Sequence, residues 1–98
     1  MSTYIILGRL TFRALDQIKD IAERDAKAAE IIKNAGGRMV FLYYTFGEYD
    51  FVAGIDAPSP DAMAKILLEI GKMGTVSTHT LTALTPDKIY SIAAQQGA

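Results

Sequence analysis

The period of the apolar residues changes along this chain, and the order of the changes limits the folds that it can adopt. Residues 3–10 form a short apolar run rich in β-branched and aromatic types, which predicts a buried strand. Residues 11–35 carry the stripe of an amphipathic helix, with Thr11 as the expected N-cap, Gly36-Gly37 as the expected stop and a bend expected near Ile21–Arg24. The members of the stripe are Leu15, Ile18, Ala22, Ala29 and Ile32.

The middle of the chain predicts a hairpin followed by a second helix. Residues 38–46 and 49–56 indicate two strands joined by Gly47-Glu48, where glycine in the first central position suits a type II′ turn. Ser59-Pro60-Asp61 predicts a helix start, because it offers a capping hydroxyl, a proline for the first position and a carboxylate near the positive end of the helix dipole. The expected buried face contains Met63, Ile66, Leu67 and Ile70, and Gly71 ends the helix.

The last third of the chain completes the pattern. Residues 75–84 are dense in β-branched types and predict a fourth strand, and Thr85-Pro86-Asp87 opens a terminal helix that runs to about Gln95. The order β-α-β-β-α-β is the split βαβ, or ferredoxin-like, pattern. The sequence therefore predicts an α+β fold: an antiparallel four-stranded sheet with helices on one face and a short C-terminal helix, in a single domain over residues 1–98.

Composition excludes several functional classes. The chain has no cysteine, so disulfides, thiolate nucleophiles and cysteine-rich zinc sites are excluded. Its net charge of -1 and the lack of a basic stripe argue against a nucleic-acid partner. The start MSTYIILGRL has no basic leader, and no apolar stretch approaches the roughly 18 residues of a membrane span, so a cytoplasmic location is expected. With one histidine and no phosphate loop, no metal site and no cofactor are predicted.

The predicted hairpin determines which residues share a face of the sheet, since directly opposed residues point the same way. One face, expected to meet the helices, comprises Phe46, Tyr49, Tyr44, Phe51, Leu42, Ala53, Val40 and Ile55. The other comprises Thr45, Asp50, Tyr43, Val52, Phe41, Gly54, Met39 and Asp56. The first strand is apolar on both sides, with Ile5 and Leu7 on one and Tyr4, Ile6 and Leu10 on the other, and the helices of this topology cover only one face of the sheet. The sequence therefore predicts a homodimer packed sheet to sheet about a two-fold axis.

Three side chains are candidates for catalysis, each with a structural alternative. Asp50 is either a general acid or base near the dimer face, or a residue that bonds Thr45 or nearby backbone and pairs with Arg9. Tyr49 is either a packing residue whose hydroxyl finds a partner, or a catalytic tyrosine. His79, the only histidine, is either a hydrogen-bonded packing residue on its strand or a catalyst that titrates near neutrality. The sequence does not determine which face of the sheet carries His79.

A ligand-binding set is expected where the first strand ends and the hairpin turns, and it consists of Arg9, Tyr43, Tyr44 and Thr45. Arg9, together with the start of the first helix, suits a carboxylate or phosphate, and the alternative is a salt bridge to Glu48 or Asp50. The charged residues in the middle of the first helical segment are interpreted as a solvated face; they are Glu23, Arg24, Asp25 and Lys27.

The run YYTFGEYDFVAGIDAP resembles the signature of the GYD domain family, whose Gly-x-Tyr-Asp core is matched by Gly47, Tyr49 and Asp50. STYIILGRLT, the GG pair before the second strand and GKMGTVSTHTLTALT resemble the family's pattern in the same order, over about residues 2–87. Family members often carry Ser-Pro in the first helical segment, where this chain has Ile21-Ala22. The resemblance implies a ferredoxin-like fold of the dimeric α+β barrel kind, and it implies no particular reaction.

Two functional hypotheses follow. The first is a dimeric barrel that binds a small organic molecule between sheet and helices, or that assembles further into a larger ring. The second is a cofactor-free enzyme of the monooxygenase or isomerase type, with His79, Asp50 and tyrosines around an apolar pocket. A closed pocket of about 300 Å³ or more, lined by these residues, would favour the enzyme.

Overall fold

A four-stranded antiparallel sheet, with its two longest helices on one face, forms the body of the protein in the computed structural model, which describes residues 1–97. The strands are β1 (Ser2–Leu10), β2 (Arg38–Tyr44), β3 (Phe51–Ala57) and β4 (Val76–Ala83), in the spatial order β2-β3-β1-β4. The helices are α1 (Phe12–Asp16), a 3-10 helix (Ile18–Asp20), α2 (Ile21–Asn34), α3 (Pro60–Gly71) and α4 (Pro86–Ala94). The predicted ferredoxin-like α+β fold is confirmed. Ala98, the last residue of the predicted domain, lies outside the described residues.

Local signals begin and end the helices as predicted. Thr11, Ser59 and Thr85 each accept a hydrogen bond from the backbone N–H three residues further on, at 3.1 to 3.3 Å. These bonds pair N–H groups that the first turn of a helix leaves without a partner. At the other end of α2, Gly36 has a φ of +85°, a backbone conformation that favours glycine and takes the chain out of the helix.

The first helical segment is divided, and the division displaces its buried stripe. The break at residues 17–20 lies just before the bend expected near Ile21–Arg24. A 3-10 helix turns further per residue than an α-helix, so α2 presents a different face from the one a continuous helix would present. The predicted stripe is therefore wrong except at Ile32, which is fully buried. Ile21 and Ala28 face inward with Ile32, while the exposed members are Leu15, Ile18, Ala22 and Ala29.

The β2–β3 hairpin has a longer loop than the predicted two-residue turn. The Thr45 N–H donates to the Asp50 carbonyl at 2.8 Å, and residues 46–49 form the loop beyond this pair. Gly47 has a φ of +134°, so the predicted positive φ is confirmed. The placement of Phe46 and Tyr49 on the helix face is wrong, because the wider loop releases both from the ladder. Phe46 is fully exposed, and the Tyr49 ring lies beside His79.

A bulge near the start of β2 makes a second part of the predicted face assignment wrong. The register shifts between Met39 and Phe41, which leaves Val40 as the extra residue. Counted from the hairpin, the side chains beyond an extra residue lie on the opposite face from the one that an unbroken ladder would give them. Met39 accordingly pairs with Ile55 and packs against the core, whereas Val40 is half exposed. From Phe41 to Tyr44 the predicted alternation holds.

The sheet has one covered face and one bare face. On the covered face, side chains of β1 and β3 pack with α2 and α3 in one core; its buried members include Tyr4, Ile6, Phe51, Ala53, Ile55, Ile32, Met63 and Ile66. No helix of residues 1–97 packs on the other side, which we call the open face. The register places on it Ile5, Leu7, Phe41, Tyr43, Val52, Gly54, His79 and Leu81.

Gly8 is required by the packing of the covered face. It pairs with Phe51 across the β1–β3 ladder, and the Phe51 ring lies where a side chain at position 8 would begin. Any Cβ at this position would displace the ring from the core. The glycine therefore gives space to a buried aromatic side chain rather than flexibility to the strand.

The Gly8→Ala variant is expected to lose about 1–3 kcal/mol of unfolding free energy, because overpacking forces a buried ring out of place. Gly71→Ala is the matched control, since a Cβ at position 71 meets nothing within 4 Å. That control should be neutral, or more stable by up to about 1 kcal/mol, because alanine favours helix. Urea denaturation followed by circular dichroism measures both. Equal midpoints for the two variants would contradict the proposed role of Gly8.

Candidate functional site

Arg9, Tyr49 and His79 form a row of contacting side chains at one end of the open face. The Arg9 guanidinium lies 4.9 Å from the centre of the Tyr49 ring, a cation–π geometry. The edge-to-face contact between Tyr49 and His79 has a centroid distance of 5.9 Å. Arg9 also donates to the Glu48 carbonyl at 2.8 Å and contacts its carboxylate at 3.4 Å. Of the two alternatives for Arg9, the structure shows the salt bridge, and Glu48 is the partner.

Asp50 joins the hairpin to the end of β1. Its Oδ2 accepts a hydrogen bond from the Leu10 N–H at 2.8 Å, and its own N–H donates to the Gly8 carbonyl at 2.8 Å. The Thr45 hydroxyl donates to the Tyr49 carbonyl at 2.6 Å rather than to Asp50. This geometry corresponds to the structural alternative for Asp50, with Leu10 as the backbone partner.

His79 lies on the open face, in the middle of edge strand β4. It pairs with Leu7 across the β1–β4 ladder, and Leu7 pairs in turn with Val52. Tyr43 continues the same row on β2. The imidazole is exposed in the single chain, so its surroundings depend on what covers the open face.

The opposite end of the open face carries a second polar group. The Thr3 hydroxyl donates to Asp56 at 2.7 Å, and Arg38 donates to the other carboxylate oxygen at 3.2 Å. The hydrogen bond from Thr3, assisted by Arg38, lowers the pKa of Asp56. Both ends of the open face therefore carry paired charges, and the centre is apolar apart from His79.

A separate cavity of about 100 Å³ lies between the covered face and helices α2 and α3. Its lining is mostly apolar; the contributors include Ile6, Leu10, Ile21, Ala28, Ile32, Leu42, Phe51, Ala53, Leu67 and Ile70. The polar residues that line it are Arg24, Asp25, Tyr44, Thr75 and Thr78. None of the three catalytic candidates borders this cavity, which is also smaller than the pocket that would favour an enzyme.

Tyr44 and Asp25 form a hydrogen bond beside this cavity. This bond is not predicted from the sequence. The Tyr44 hydroxyl donates to Asp25 Oδ2 at 2.6 Å. Partial burial, together with this bond and the charge of Asp25, raises the pKa of the Tyr44 phenol. The assignment of Arg24 and Asp25 to a solvated face is wrong, because the shifted phase of α2 turns them toward the cavity. Their spacing from Ile21, Ala28 and Ile32 is the signal that could have placed them.

The predicted ligand-binding residues do not form one site. Tyr44 borders the cavity, Tyr43 and Arg9 lie on the open face, and Thr45 holds the hairpin. Within residues 1–97 no group of three histidine or acidic side chains is arranged to hold a metal ion. In the same part of the chain, no helix is long and apolar enough to cross a membrane.

The sheet order and the placement of the helices define a ferredoxin-like α+β protein with one uncovered sheet face. The model of the GYD domain matches residues 4–93, and the chain belongs to this family. A protein of Thermus thermophilus, named glutamine synthetase and cystathionine beta-lyase binding protein, is 32% identical over 85 residues. That alignment covers 86% of this chain and 90% of the relative.

Two solved structures share the fold. FFRP-DM1 is similar with a TM-score of 0.61 and 20% identity, over 86% of this chain and 100% of that one. A hypothetical protein from Pyrococcus horikoshii is similar with a TM-score of 0.60 and 20% identity, over 87% of this chain and 92% of that one. At this level of identity the likeness concerns the fold alone.

The structural role of Asp50 predicts a clear loss in Asp50→Ala. Removing the carboxylate leaves the half-buried Leu10 N–H without its acceptor, which should cost about 1–3 kcal/mol of unfolding free energy. Glu48→Ala removes an exposed partner from the same loop and should cost at most about 1 kcal/mol. Urea denaturation measures the cost, and hydrogen exchange at Leu10 localises it. A larger loss in Glu48→Ala than in Asp50→Ala would contradict this assignment.

Proposed function

We propose that this protein is a cytoplasmic, homodimeric binding protein: two copies pack through their open faces, and the dimer binds metabolic enzymes. The observation that carries the dimer is the composition of the open face, an apolar centre between two polar ends. The observation that supports enzyme partners is the Thermus thermophilus relative, whose name describes binding to glutamine synthetase and cystathionine beta-lyase.

The centre of the open face is too apolar to be stable in water over its whole width. Each of the four strands contributes at least one large apolar side chain to it: Phe41 and Tyr43, Val52, Ile5 and Leu7, and Leu81. Tyr43 is 65% exposed and Leu81 is 49% exposed in the single chain. Contiguous exposed apolar surface of this kind, with a polar border, is typical of protein interfaces.

A second copy of the chain is the occupant that best fits this face. A two-fold axis brings the same surface of each copy together, so the surface must complement itself. Each end of the open face carries both signs of charge, in the pairs Arg9–Glu48 and Arg38–Asp56. A rotated copy can therefore place opposite charges together at either end. A chain of 98 residues also leaves a large share of its surface uncovered when alone.

The enzyme alternative requires the dimer as well. His79, Tyr49 and Asp50 lie on or beside the open face and do not border the cavity on the helix side. A cofactor-free monooxygenase or isomerase that uses these residues would have to form its pocket between two open faces. Asp50 is already engaged by the Leu10 N–H, so the geometry supports a binding protein better than this alternative.

The wild-type protein is expected to sediment at twice the 10.6 kDa of one chain at micromolar concentration. Leu81→Glu places a charge in the open face and should shift the protein to monomer, because a buried unpaired carboxylate costs several kcal/mol. Leu68→Glu is the matched control, since Leu68 is 69% exposed on α3, away from the open face. Analytical ultracentrifugation measures all three. A monomeric wild type, or a Leu81→Glu variant that stays dimeric, would refute the proposed interface.

Binding to enzymes is tested with glutamine synthetase and cystathionine beta-lyase from the organism that supplies this chain. Surface plasmon resonance with the immobilised dimer should show saturable binding of at least one of the two enzymes. Leu68→Glu and Leu81→Glu, compared in the same experiment, report whether binding needs the dimer. If neither enzyme binds the intact wild-type dimer, the proposed class of partners is wrong even though the dimer is correct.

A further inference from the structure

We infer that the cavity between the covered face and helices α2 and α3 is a binding site for a small, uncharged apolar molecule that carries one hydroxyl group. This inference goes beyond the proposed function and does not depend on the dimer, because the cavity lies on the opposite side of the sheet from the open face. It rests on the size of the cavity, on its apolar walls and on the polar pair that borders it.

Small side chains on two opposing walls leave the space open. Ala53 contributes only a methyl group from the covered face, and Ala28 contributes only a methyl group from α2. Around them, larger core residues such as Ile32 are fully buried, and these neighbours on the same elements hold the walls apart. An apolar cavity of roughly 150 Å³ in another protein stays dry and binds benzene. About 100 Å³ therefore holds only part of such a ring, and the polar end of the ligand protrudes beside the half-exposed Tyr44.

The polar pair gives the site its chemical preference. Asp25 Oδ2 accepts the Tyr44 hydroxyl, while Oδ1 accepts no hydrogen bond from any donor in residues 1–97. A hydroxyl group on the ligand can donate to this free oxygen while the rest of the molecule occupies the apolar space. The arrangement orients the ligand with its polar end toward α2, since polar partners in such sites are few and fixed in position.

The same pair disfavours anions. Asp25 is a carboxylate, and the Tyr44 phenol, whose pKa is raised, stays neutral near pH 7. The nearby cation, Arg24, donates to the carbonyl groups of Gln17 and Ala14, at 2.8 and 3.1 Å, and keeps its positive charge. Its effect on Tyr44 is smaller than that of Asp25, so a ligand carboxylate at this position would still meet a net repulsion from Asp25. Phenol and benzoate, which share a ring and differ in charge, therefore separate this preference from simple apolar binding.

Methyl NMR of isoleucine-labelled protein tests the site with phenol and benzoate as probes. Phenol should cause saturable shifts at Ile6, Ile32 and Ile70, which line the cavity, and much smaller shifts at Ile5 on the open face. Benzoate should bind at least about tenfold more weakly, given its repulsion from Asp25. The inference is overturned if phenol produces no saturable shift at the cavity methyls, or if benzoate binds as tightly as phenol.

Adjacent alanines on α2 provide a matched pair of variants. Ala28→Leu fills the cavity and should weaken phenol binding at least about tenfold, whereas Ala29→Leu adds the same atoms to an exposed position and should change it less than about twofold. Ala28→Val is the smaller substitution to use if Ala28→Leu does not fold. Unchanged phenol binding in a folded Ala28 variant would show that the probe binds elsewhere and would refute the assigned site.

Discussion

Within residues 1–97, one side of the sheet has no helix over it, and this determines where the core forms and which surface stays apolar and exposed. Strand β1 is apolar on both sides, yet α2 and α3 cover only one face of the sheet. The covered face packs around Gly8 and Phe51 and forms the core of residues 1–97. The open face keeps large apolar side chains in contact with solvent, and burying that area is the largest source of association free energy that this surface offers.

The polar and titratable side chains of interest consequently lie in two separate places, one on each side of the sheet. Arg9, Tyr49 and His79 form a row of contacting side chains at one end of the open face, where Arg9 and His79 are exposed in the single chain. Tyr44 and Asp25 border the cavity on the covered side, where one chain alone forms the walls. The residues of the family's Gly-Tyr-Asp core lie at the open-face end of the hairpin. Gly47 allows the turn of the loop, and Asp50 accepts a hydrogen bond from the Leu10 N–H.

Most of the fold could be predicted from the sequence, because its signals are local. The caps at Thr11, Ser59 and Thr85 and the alternation in β1 depend only on neighbouring residues. The wrong predictions fall where a local irregularity changes which way the neighbouring side chains face. These irregularities are the 3-10 helix before α2, the bulge at Val40 and the wider hairpin loop. The spacing of Asp25 from Ile21 and Ala28 places it on the inward side of α2, but its bond to Tyr44 could not be predicted. That bond joins two elements whose relative phase depends on those same irregularities.

Contacts between copies decide whether the open face is the dimer interface. A sample that mixes isotope-labelled and unlabelled chains allows isotope-filtered NOE spectra to detect only protons from different copies. We expect intermolecular NOEs among Leu7, Tyr43, Val52, His79 and Leu81, all on the open face. Intermolecular NOEs that arise instead from α2, α3 or α4, with none from the open face, would contradict it.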